Sequence, residues 1–175
     1  MMRTTIISLA ILFSSVLPSY SDWHPTKWGM SKDELKSLYG IKLSIFGTEE
    51  SKNKTIDTVG VAHSKTLYEV DGIKFDEIFY FRNEKLSGVS LKTLKPEDYF
   101  IVERKLNLIY GKPVFISDKK ENDGFCRRIE KEWRSESDGN VISINIYICA
   151  NTAIYKGVGY CNILYEPILN KQYGL

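Results

Sequence analysis

Residues 141–149 limit the fold more than any other stretch of this chain. Ile142, Ile144, Ile146 and Ile148 recur with a period of two, and Ser143, Asn145 and Tyr147 alternate with them. A helix would scatter that spacing around its circumference, whereas a strand puts all four isoleucines on one face. A strand with one apolar and one polar face belongs to an antiparallel sheet covered on one side.

Other stretches repeat the pattern. Residues 66–70 and 73–81 flank Asp71-Gly72, a two-residue hairpin signal. In the second of these strands Ile73, Phe75, Phe79 and Phe81 share a face, and Glu77 is the odd member of that row. Asn83-Glu84 turns the chain into 85–92. Later, 127–137, 141–149 and 157–165 read as three strands, the first turn between them at Asp138-Gly139. Residues 41–46 read as a short strand. Residues 47–55 and 115–123 read as charged connections, and 166–175 as a tail.

Two helices interrupt the strands. Ser31 and Glu34 form a capping box, with Met30 and Leu35 as its apolar staple. Leu35, Leu38 and Tyr39 share one face, and Gly40 stops the helix. The second helix is expected from Pro96, with Glu97 and Asp98 in its first turn. Tyr99, Val102, Leu106, Ile109 and Tyr110 form its apolar stripe, and Gly111 ends it. The class is α+β, built as two helix-then-antiparallel-meander halves, 22–93 and 94–175. Their shared order suggests a tandem repeat contributing to one layer of sheet.

The N-terminus sets an expected location. Arg3 precedes an apolar run over 6–17, and Ser19-Tyr20-Ser21 puts small residues before a cut. Residues 1–21 therefore read as a secretory signal peptide, too short for a spanning helix. The mature protein is expected in the periplasm or secreted, with no stable membrane insertion after cleavage. Lysine and arginine number 24 against 22 acidic residues, a balance that offers nucleic acid no attraction.

Chemistry is sparse. His24 and His63 are the two histidines, and with three dispersed cysteines they match no zinc spacing. Asp118, Glu121 and Asp123 lack the alternation of a calcium loop. His63-Ser64 pairs a base with a hydroxyl, but neighbours on a regular strand point to opposite faces. No catalytic residue, metal ligand or cofactor site is therefore assigned. Cys126, Cys149 and Cys161 are the disulfide candidates. Cys149 is the shared neighbour: Cys149–Cys161 is the favoured pairing, because their separation centres on the second turn, although the two fall on opposite faces, and Cys126–Cys149 is the alternative.

The Trp28-Gly29-Met30-Ser31 start, with Leu35, Leu38, Gly40 and the later run from Tyr80 to Leu86, resembles two known kinds of domain. They are the outer-membrane assembly lipoprotein family (SmpA/OmlA) and the β-lactamase inhibitor proteins. Many uncharacterised secreted bacterial proteins have a similar Trp-Gly-Met-Ser start. The likeness spans roughly residues 28–92, with a looser echo over 96–165. No lipid-attachment cysteine stands near the cut. The resemblance implies a non-enzymatic binding or scaffolding protein with a protein partner, and carries over no site residue. The readings to compare with it are a small secreted hydrolase using Cys126 or His63, and an inhibitor or immunity protein for an extracytoplasmic enzyme.

Overall fold

A computed structural model describes residues 24–95, 98–121, 125–150 and 159–168. The expected signal peptide lies outside these residues, as do Pro96, Glu97, Asp123 and most of the expected tail.

The capped helix forms as its sequence requires. α1 spans Lys32–Tyr39; the Glu34 amide donates to Ser31 Oγ, and the Ser31 amide donates to Glu34 Oε2 at 2.6 Å. Both contacts satisfy amides that a helix start leaves free. Leu35 is fully buried against Phe79, Phe81, Leu86 and Val89.

Eight strands follow the α+β expectation. β1 is Ser44–Ile45, β2 Val61–Val70, β3 Ile73–Arg82 and β4 Lys85–Thr93. After α3 (Tyr99–Tyr110) come β5 (Phe115–Glu121), β6 (Cys126–Ser135), β7 (Asn140–Cys149) and β8 (Gly159–Pro167). They form one antiparallel sheet in the order β1-β2-β3-β4-β8-β7-β6-β5. Asp71 and Gly72 both have positive φ (52° and 78°), the geometry of a tight hairpin turn.

Three connections differ from the sequence reading. Residues 47–55 contain a short helix, α2 (Thr48–Asn53), with no buried residue. Residues 115–121 form β5, an edge strand fully paired to β6. β8 continues through Pro167 instead of giving way to a tail at Glu166.

The isoleucine row faces the helices. Ile142, Ile144 and Ile146 join Trp133, Ile129, Cys161, Ile163, Phe75 and Leu91 beneath Val102 and Leu106 of α3. Ile109, expected in the α3 stripe, is instead 69% exposed. Trp133 donates its indole N–H to the Gly111 carbonyl at 3.0 Å, securing the end of α3. Trp28 packs on the clusters under both helices and donates to Asn140 Oδ1 at 2.9 Å.

The disulfide joins Cys126 and Cys149, which stand opposite each other in the β6–β7 register. The turn between these strands takes four residues, so Ser135 faces Asn140. Cys161 faces Ile146 on the helix-bearing side, whereas Cys149 points the other way, so the Cys149–Cys161 pairing does not form. Burial pushes the Cys161 thiol up to about 12. Native protein at pH 8 should therefore take up no iodoacetamide. Unfolding without reductant should release one reactive thiol, and reduction all three, as intact mass will report.

The other side of the sheet is partly covered by Phe46, Ile56 and Val59, which pack with Ala62, Ile78, Tyr80 and Leu164. This cover needs a glycine beneath it. A Cβ at Gly88 would come within 2.2 Å of Val59 Cγ1. Gly88→Ala should cost about 1–3 kcal/mol through overpacking and lower the melting temperature by several degrees in calorimetry.

Candidate functional site

The sequence singles out His63 and Ser64, and the structure brings them together. Ala62 and Ser64 face successive residues of β3, which makes His63 the extra residue of a β-bulge. Alternation fails at a bulge, and His63 Nδ1 comes 3.2 Å from Ser64 Oγ. The opposite-face expectation is thereby corrected. The pair nevertheless lacks access: Ser64 is completely buried, and the His63 ring packs edge-on to Phe81 at 5.1 Å. A nucleophile must reach its substrate, and this hydroxyl faces the core.

The other proposed nucleophile, Cys126, is bridged to Cys149 and carries no thiolate. Asp118 and Glu121 stand on β5, where they pair with Arg127 and Arg128 of β6. The Arg127 guanidinium beside Asp118 holds its carboxyl below the usual range. Among the described residues no group of three or more His, Cys, Asp or Glu is placed to hold a metal ion.

Two surfaces remain. The first is the face of β6, β7 and β8 opposite α3. Register places Arg128, Tyr147 and Tyr160 in one row across these strands. The tyrosine rings stack with centroids 5.6 Å apart, and the Arg128 guanidinium lies 5.6 Å from the Tyr147 ring centre. Glu130, Asn145 and Asn162 form the next row. Asn145 Nδ2 donates to Glu130 Oε1 at 3.2 Å. Because a carboxylate accepts only, the amide nitrogen must face it. The Asn145 Oδ1 acceptor is then buried with no hydrogen-bond partner among the described residues.

The second surface is a groove of about 400 Å³ on the helix-bearing side, between α3 and the β2–β3 hairpin. Phe75, Leu91, Val102, Leu106 and Ile163 line it. An ion pair between Lys105 and Asp71 stands at its rim. At one end the Tyr165 and Tyr110 hydroxyls share a hydrogen bond, and burial holds both above their ordinary value.

In the sequence Tyr147 stands only as a member of the alternating face of a strand, and Tyr160 carries no signal of its own. Their adjacency depends on the β7–β8 register. Compared with family models, curated proteins and solved structures, the chain matches none.

Burial first, and the charge of Lys32 second, lower the His63 pKa below its ordinary 6.5. The folded protein therefore favours the neutral ring. Protonation favours the unfolded chain, so stability falls as pH drops from about 6.5 toward the lowered value. Urea melts from pH 7.5 to 5 should show this loss in the wild type and a reduced slope in His63→Gln.

Proposed function

We propose that this chain is a non-enzymatic, extracytoplasmic binding protein that engages a protein partner through the face of β6–β8 opposite α3. The row of Arg128, Tyr147 and Tyr160 carries the reading. Tyrosine and arginine dominate interface hot spots because they combine broad apolar contact with polar handles.

The extracytoplasmic location is supported by the signal-like pattern of residues 1–21 and by the Cys126–Cys149 bridge, which an oxidising compartment favours. The non-enzymatic character is supported by the burial of Ser64 and the bridging of Cys126. A tandem origin of the two halves is supported by the strand order, since four strands run inward from each edge to meet at β4 and β8. An inhibitor or immunity protein is the form this reading takes when the partner is a secreted enzyme.

Tagged mature protein, cross-linked in extracytoplasmic extract, should capture one protein in stoichiometric amount. Tyr147→Ala and Arg128→Ala should each weaken its binding by about tenfold or more, while Leu108→Ala, on the far side of the sheet, should not. Equal capture by all four proteins would refute the reading, and so would capture of nothing.

A further inference from the structure

α3 is apolar on both of its sides. Val102 and Leu106 face the sheet and are buried. Phe100, Ile101, Leu108 and Ile109 face away from it and are 65%, 50%, 76% and 69% exposed. With Arg104 and Lys105 they follow the spacing i, i+1, i+4, i+5, i+8, i+9, which is the outer half of one helix. Single exposed apolar residues are ordinary, but four of six on one helix surface form a patch. The patch is continuous. Phe100, Arg104 and Leu108 line one recess, and Leu108 and Ile109 border the groove together with Val70 of β2.

The charges decide what suits this patch. The outer half of α3 carries two cations and no carboxylate. The carboxylates beside it are engaged: Asp71 pairs with Lys105, and Glu103 with Lys131 of β6. Asp98, at the N-cap, is matched in charge by the exposed Lys95 just before it. Arg104 forms no ion pair among the described residues, and exposed Lys112 follows the helix. A second copy of this chain is a poor cover, because a two-fold contact through α3 would set Arg104 and Lys105 against themselves. An anionic surface fits instead. The shape adds to this: α3 lies across the face of the sheet, so one flat plane can meet the patch along about 13 Å of helix. Arginine and lysine stems can lie beside acyl chains there while their charged ends reach the phosphates.

We propose that the outer face of α3 docks on an anionic phospholipid bilayer. The helix lies in the plane of the interface, with Phe100, Ile101, Leu108 and Ile109 entering the acyl boundary and Arg104 among the headgroups. At 12 residues α3 is too short to cross, so the contact is peripheral. The face of β6–β8 opposite α3 points away from the membrane, and the docking does not rest on the protein-partner reading. The two fail separately, since Leu108→Ala should keep the protein partner while α3 variants lose vesicles.

Co-sedimentation of the mature protein with vesicles tests the assignment. With phosphatidylcholine containing about 30% phosphatidylglycerol, half of the protein should be bound at about 1 mM accessible lipid or less. Pure phosphatidylcholine should bind at least about fivefold more weakly, and about 0.5 M sodium chloride should weaken the phosphatidylglycerol binding. The double substitution Phe100→Ser, Leu108→Ser and the single Arg104→Glu should each reduce binding about fivefold or more. These side chains are exposed, so circular dichroism should show the native fold in both variants. Lys65→Glu makes the same charge change on the other side of the sheet, beside Ile78, and should leave binding unchanged. Absence of sedimentation with phosphatidylglycerol vesicles would overturn the proposal. So would equal loss in Lys65→Glu, full binding by the α3 variants, or a dimer of the wild type that those variants dissolve.

Discussion

The pairing of β4 with β8 is the constraint on which the rest of the sheet depends. It is antiparallel and runs over four registered pairs, from Val89–Tyr165 to Lys92–Asn162. Every other neighbouring pair in the sheet joins strands adjacent in sequence. Here the strands are far apart in the chain, so closing them costs loop entropy that local hairpins do not incur. That cost is offset by what the junction assembles. Leu91 and Ile163 meet under α3, so the core beneath that helix is drawn from both meanders. Trp28 adds a second tie, with its ring on both helix-side clusters and its N–H on Asn140.

How far the fold is legible in the sequence follows from how local its causes are. The α1 cap, the Asp71-Gly72 turn and the isoleucine row depend on neighbours within a few residues, and all three form where the sequence puts them. β5 is different. It is an edge strand held to β6 by its backbone and by charged pairs such as Asp118–Arg127, so it needs no apolar alternation and shows none. α2 buries no residue and therefore carries no helical stripe. The β6–β7 register follows from a four-residue turn, a length that Asp138-Gly139 alone does not specify.

The candidate sites divide in the same way. The outer face of α3 is masked by the inner one: the helix is apolar on both sides, so Ile109 reads as part of the buried stripe although it is exposed. The Arg128–Tyr147–Tyr160 row requires two registers at once. His63 shows the opposite failure: a rule about strand faces was sound, but the bulge at that residue suspends it.

The proposed partner surface rests on strand parity, because a slip of one residue moves every side chain to the other face. In β7 such a slip would bring the isoleucines to the side opposite α3 and put Asn145 and Tyr147 under α3. Two devices oppose it. The first is packing, since Ile142, Ile144 and Ile146 are each no more than 1% exposed. The second is covalent. Cys126 and Cys149 lie at the end of the β6–β7 hairpin remote from its turn, on the face that carries Tyr147, and bridge residues 23 apart in sequence. By chain entropy a loop of that size is worth about 3 kcal/mol. Its more specific effect is geometric: with the turn closing one end and the bridge the other, the hairpin has a single register in which both fit. The disulfide thus secures the neighbouring row, Arg128 beside Tyr147, on the side of the sheet opposite α3.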